Sequence, residues 1–209
     1  MDDRLILEPH AARVLGALIE KQALTPDNYP LTLNALQSAC NQLTSREPVL
    51  SLSEGEISAA LDSLLALKLV SERLPAGSRV AKYEHRLNYA WNIDGARLAV
   101  LGLLLLRGAQ TSAELRSRAG RMYSFSGVEE VDTALNALAD KYPPLVEKLA
   151  RQPGAREARW VHTLLPYDVS LAAAPGEAAD PSLAARVSEL EQQLAQLLQR
   201  VAQLEQGGH

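Results

Sequence analysis

Arginine is the residue type through which this chain could do the most chemistry. Arg107, Arg116, Arg118 and Arg121 crowd into one short stretch, and Arg151, Arg156 and Arg159 follow after an acidic helical pattern. A guanidinium is always charged and presents a planar fork of donors that fits phosphate oxygens. Side chains clustered in this way could neutralise the backbone of double-stranded DNA. Arg79 joins the set because two turns, Pro75-Ala-Gly-Ser-Arg79 and Gln152-Pro-Gly-Ala-Arg156, each place an arginine just past a glycine. A turn-tip arginine can enter a minor groove. The alternative for every one of them is an ion pair with a neighbouring acidic helix, the commoner fate of a surface charge.

Other chemistry has weaker support. His10, His85, His162 and His209 are scattered and no two stand at ligand spacing on a helix, so no metal site and no cofactor are expected. Cys40 lies in a helical pattern beside Ala39 and reads as a packed thiol. Glu129 and Glu130 are helical neighbours that point in different directions, a poor geometry for acid/base work. Trp91 and Trp160 read as packing residues at a joint and on a strand. With no glycine-rich phosphate cradle either, no catalytic residue is assigned and the chain is not expected to be an enzyme.

The totals set the frame. In 209 residues 47% are hydrophobic but only 4% are aromatic, and Leu and Ala dominate, which favours helices around one or two cores. Net charge is −4, so the chain as a whole lacks the basic balance of most nucleic-acid binders. The charge is unevenly placed: nine basic against eleven acidic residues up to Ile93, ten against eight from there to Pro166, two against six beyond. The middle portion is the basic one. One cysteine and an acidic start, MDDRLILEPH, fit a cytoplasmic protein without a signal peptide. Leu98 to Leu106 is too short an apolar run to span a membrane and predicts a very buried helix.

The elements that must position the arginines follow from periodicity. Ser126 to Lys141 predicts an amphipathic helix with Val128, Val131, Leu135 and Leu138 on one face, opened by a capping box of Ser126 with Glu129. Ser53 to Lys68 repeats it, with Ser53 and Glu56 as the box. A shift of 74 residues lays Ile57 on Val131, Leu61 on Leu135 and Leu64 on Leu138. Helices are also predicted over Glu8–Leu24, Leu31–Gln42, Ala96–Arg107 and Thr111–Ala119, and Val14-Leu-Gly16 recurs as Val100-Leu-Gly102. Thr111 with Glu114 forms a further box, and Asp94 is a candidate cap. Strand pairs are expected over Leu69–Leu74 with Val80–Leu87, and over Leu145–Arg151 with Glu157–Leu165. Helices followed by a two-stranded wing, twice over, predict a mainly α chain with small β wings (α+β): two tandem winged helix-turn-helix domains at 1–91 and 92–165.

Residues 166–181, rich in Ala, Pro and acids, read as a flexible linker. Beyond it, Leu183, Val187, Leu190, Leu194, Leu197, Val201 and Leu204 alternate steps of four and three, a heptad pattern that predicts a coiled-coil helix over 182–206. Val at a positions with Leu at d favours a parallel homodimer, and Arg186 and Arg200 at g face Glu191 and Glu205 at e. The competing reading is one helix folded back on its own chain, which the extra Leu198 at an e position supports.

Several blocks carry a resemblance: Glu20-Lys-Gln22, Thr25-Pro-Asp-Asn-Tyr-Pro-Leu31, Ala39-Cys-Asn-Gln42, Thr44-Ser-Arg-Glu-Pro-Val49, Lys82-Tyr-Glu-His-Arg86, Leu104 to Thr111, Arg121-Met-Tyr123 and Arg151 to Glu157. Together they resemble the YceH-like family of bacterial proteins over about residues 7 to 165. The resemblance implies the tandem winged-helix architecture and assigns no catalytic or ligand residue. Leu43 stands where the family pattern has a lysine, and Ser112-Ala113 where it has Pro-Gly.

Two functions fit these readings. One is a dimeric DNA-associated protein of transcription-regulator type, touching backbone with the arginines of the second unit. The other is a protein-interaction scaffold, because both third helices are acidic: Glu54, Glu56 and Asp62 in one, Glu129, Glu130, Asp132 and Asp140 in the other. Inserting either into a major groove would bring carboxylates toward phosphates at a Coulomb cost.

Overall fold

The fold is built around two helices that are buried along most of their length. A computed structural model describes residues 4–75, 77 and 79–166, and these lie within one compact unit. The predicted linker at 166–181 and coiled-coil helix at 182–206, with its seven seam positions, fall outside the described residues apart from Pro166. Helix α1 (Pro9–Leu24) starts with proline in its first turn, where the missing N–H costs nothing. Every residue from Ala11 to Glu20 is buried. After a 3-10 turn at Pro26–Asn28 come the two-residue strand β1 (Leu31–Thr32) and helix α2 (Leu33–Cys40). Helix α3 (Glu54–Ala66), strands β2 (Val70–Arg73) and β3 (Lys82–His85), and the short α4 (Leu87–Ala90) complete the first half. The second half repeats the order with α5 (Gly95–Arg107), α6 (Ser112–Ala119), α7 (Val128–Ala139), β4 (Val146–Lys148) and β5 (Trp160–His162).

Both sheets are antiparallel and share one plan. In the first the strand order is β1-β3-β2, with Leu31 opposite Tyr83 and Val70 opposite His85. In the second, β4 pairs with β5, Val146 standing opposite His162. Gln110 bridges to Trp160 in the place β1 takes in the first half.

The expected apolar faces are the buried ones. Ile57, Leu61 and Leu64 on α3 and Val131, Leu135 and Leu138 on α7 are all 0–2% exposed. Val128 is only partly buried. The boxes at Ser53 with Glu56 and at Thr111 with Glu114 have both reciprocal hydrogen bonds.

Three local expectations are corrected. The predicted second helix begins at Leu33, because Leu31 and Thr32 are drawn into the sheet and the Thr32 hydroxyl then accepts from the Ala35 amide. At α7 the capping position is Gly127, and Glu130 takes the role expected of Glu129, accepting from the amide and hydroxyl of Ser126, each at 2.8 Å. The Asp94 carboxylate caps no amide and pairs with Arg97 at 2.7 Å.

The halves meet along α1 and α5. A methyl added to Gly102 would sit 2.7 Å from Ile19 Cγ2, and one added to Gly16 would sit 3.0 Å from Leu105 Cβ. The repeated Val-Leu-Gly thus marks the crossing, where only a hydrogen lets the backbones approach. The contacts are reciprocal, since Ile19 follows Gly16 by the same step as Leu105 follows Gly102. A local twofold relates the two halves there, and one continuous apolar cluster runs through both.

Candidate nucleic-acid interface

The second half holds most of the expected arginines, and the fold divides them into two groups. Arg159, entering β5, forms a bidentate pair with Glu114 of α6, at 2.8 and 3.0 Å, and donates to the Ala109 carbonyl. Arg118 donates to Gln110 Oε1 at 2.9 Å, and Gln110 is itself fully buried and bonded to the Leu103 carbonyl. The Arg107 guanidinium lies 3.4 Å from Glu47, across the junction of the halves. These three brace α6 and its neighbours; the charges of Arg107 and Arg159 are met by carboxylates, while Arg118 is held in place by a neutral amide and keeps its charge.

Arg79, Arg116, Arg121, Arg151 and Arg156 form the second group. All are exposed, and none has an ion pair among the described residues. Arg116 projects from α6 and lines a recess of about 420 Å³ with Ser117, Gly120, Ser124 and Tyr123. Arg121 follows the helix directly, and Arg151 and Arg156 lie in the loop joining β4 to β5. The Tyr123 and Phe125 rings, 4.7 Å apart between centroids, stiffen the turn that carries the recess. Tyr123 donates its hydroxyl to Glu130 at 2.8 Å, and the bonds from the Ser126 amide, Tyr123 and the Ser126 hydroxyl hold that carboxyl below its ordinary range.

The acids behave differently in the two third helices. On α3, Glu54, Glu56 and Asp62 all face solvent. On α7, Glu130 is tied into the turn and Asp132 accepts from the Ser112 hydroxyl, while Glu129 and Asp140 stay exposed. Ser112, at the position where the family pattern differs, thus joins α6 to α7.

The first half contains a buried ionic cluster that charge counting missed. Arg46, 3% exposed, grips both oxygens of Glu20 at 3.0 and 2.6 Å and donates to the Ala39 carbonyl and to Gln42. Burial alone pushes the Glu20 carboxyl up, and the Arg46 guanidinium outweighs it, so the acid is held below its usual range. Arg13 reaches the carbonyls of Cys40 and Pro48. Cys40 is buried and its thiol is pushed up to about 12 by desolvation, which leaves it no thiolate for chemistry at neutral pH. Among the described residues no group of three or more His, Cys, Asp and Glu is placed to hold a metal. No helix among them is long and apolar enough to cross a membrane.

This cluster ties together the sequence blocks around Glu20, Ala39 to Gln42 and Thr44 to Val49, and a family model confirms what they mark. The model described as "protein of unknown function, DUF480" matches residues 7–155. The chain belongs to the DUF480 family. Its relatives there include a UPF0502 protein of Chromobacterium violaceum, 69% identical over 200 residues, covering 96% of this chain and 91% of the relative. A UPF0502 protein of Azoarcus sp. is 51% identical over 95% of this chain and 89% of its own length. One from Shewanella loihica is 47% identical over 95% and 97%. This is the group of uncharacterised bacterial proteins that the sequence blocks resemble. For a DUF480 chain those blocks are framework: they hold the connection between α2 and α3 against α1.

Proposed function

We propose that this DUF480 chain is a DNA-associated protein of transcription-regulator type, made of two winged helix-turn-helix units in one polypeptide. Three helices followed by an antiparallel hairpin, with a short extra strand or bridge on the far side of the second hairpin strand, support that architecture in both halves. The observation that carries the functional reading is the set of exposed arginines on one half that have no ion pair among the described residues. Arg116 and Arg121 flank the α6 turn, Arg151 and Arg156 occupy the hairpin loop, and all four are exposed. Phosphates reward such a placement whatever the base sequence. The reading helices are not α3 and α7 in the usual docking mode, because the outer face of α3 is acidic. The reading includes a homodimer through 182–206, a cytoplasmic location and no catalysis.

The test is binding of the purified protein to mixed genomic DNA fragments across a salt series, beside an Arg116, Arg121 and Arg156 triple alanine variant. Affinity is expected to fall steeply with salt, and the variant to lower the log–log slope by about 3, roughly one counterion per lost contact. Absence of binding at low salt sinks this reading. It would then favour the second one, a protein-interaction scaffold, which the solvent-facing Glu54, Glu56 and Asp62 support.

A further inference from the structure

A different surface, remote in character from the arginines, has the makings of a second site. The chain after α4 and the chain before β4 wall a groove of about 440 Å³. Tyr89, Trp91 and Asn92 line one wall, Lys141, Tyr142 and the Pro143-Pro144 pair the other. Leu145 and Leu164, 4% and 1% exposed, form a firm apolar floor. Above it Tyr89 and Tyr142 are 77% and 87% exposed. The Arg86 guanidinium stacks 4.2 Å from the centre of the Tyr89 ring. No carboxylate lines the groove, and Lys141 is its one charged group.

Packing does not explain two tyrosines held in water at the rim of an apolar trough. Tyrosine offers a large flat surface at low entropic cost with a hydroxyl at its end, which suits it to a binding surface. The polar groups narrow the occupant. Two phenols, an amide and an ammonium supply donors. A docked α-helix has its carbonyls bonded internally and offers those donors no backbone acceptors. An extended polyproline segment has no internal hydrogen bonds and presents free carbonyls along its length. Its rings pack into troughs between aromatic side chains. Charge completes the match, since Lys141 with no facing acid favours an acidic residue on the incoming segment.

We propose that this groove binds an extended, proline-rich segment of a partner protein that carries an acidic residue beside its prolines. The inference does not rest on DNA binding, because it uses neither the exposed arginines nor the acidic helices. Single-stranded nucleic acid could also stack on aromatic rings, but its backbone needs a positively charged track, and Lys141 with an Arg86 that already lies 3.5 Å from Glu84 does not make one.

The test uses the full chain with a short synthetic peptide of proline pairs separated by glutamate, followed through the two tryptophan indole resonances. Trp91 lines the groove, whereas Trp160 is buried at 3% exposure on β5 and serves as the internal reference. The expected result is a saturable shift of Trp91 with Trp160 unmoved. Tyr89→Ala and Tyr142→Ala, both at exposed positions and so compatible with folding, are each expected to weaken binding roughly tenfold, as loss of an aromatic anchor does. Lys141→Gln should weaken the glutamate peptide and leave a neutral proline peptide unchanged. No shift at millimolar peptide overturns the proposal. So does an equal response to a peptide with alanine in place of proline, a Trp91 shift produced by oligo(dT) instead, or a Trp91 signal that moves with protein concentration alone, which would make a second copy the occupant.

Discussion

His85 and His162 stand at matching places, each opposite a valine where its hairpin ends. Burial pushes both imidazoles down to about 4. His85 accepts from the Leu87 amide at Nδ1, which puts its proton on Nε2, facing Gln22 Oε1 at 2.7 Å. Both rings are therefore neutral in the fold and take up protons on unfolding once the pH drops below the ordinary histidine range. The unfolded state then binds more protons, so stability is full above about pH 6.5 and is lost as pH falls toward 4, by up to about 3 kcal/mol per ring. Urea midpoints at pH 7 and pH 4.5 should differ accordingly, and a His85→Asn, His162→Asn double variant should flatten that difference. An unchanged slope in the variant would mean that other groups carry the acid sensitivity. At this scale the sequence announced the types of residue and hid their partners. Arg159 looked like the other hairpin arginines because its acid, Glu114, lies 45 residues away. Glu20 and Arg46 drew no attention as charges, since a buried pair contributes nothing to periodicity and cancels in any charge count.

Among elements, the tightest constraint is the α1–α5 crossing. Gly102→Ala would force Ile19 aside, so it should destabilise by about 1–3 kcal/mol, as overpacking does. Gly55→Ala is the internal control: nothing lies within 4 Å of the added methyl in the exposed first turn of α3, and the change should be neutral or stabilising by up to about 1 kcal/mol. Thermal unfolding of the two variants checks the contrast, and equal effects would remove the crossing from the account. The helices were legible because their apolar faces repeat with a clear period. Strand β1 was not, because Leu31-Thr32 extends the helical pattern of α2 and only the distant Tyr83 draws it into a sheet. The capping slip at α7 has an equally local cause, two adjacent glutamates competing for one role.

Over the whole molecule, the shared apolar cluster makes the halves dependent on each other. Neither half can bury its central helix without the other, since α1 and α5 serve as each other's cover. Fluorescence of Trp91 and Trp160 should therefore report one coincident unfolding transition over residues 4–166, and two separated transitions would contradict a common core. Sequence reading placed the joint at Asn92 and found the repeat, but it could not see that the repeated glycine was the contact itself.

That reciprocal crossing also frees the chain from a rule that binds ordinary homodimers. When two identical subunits meet about a twofold axis, any residue chosen for one face is imposed on the other. Here the correspondence is kept in the packing and the hairpins, and the outer surfaces have diverged: one half presents a third helix with three exposed acids and no base, the other exposed arginines without an ion pair among the described residues. Covalent duplication lets a single molecule keep matched packing inside while the charge of its two outer faces is chosen independently.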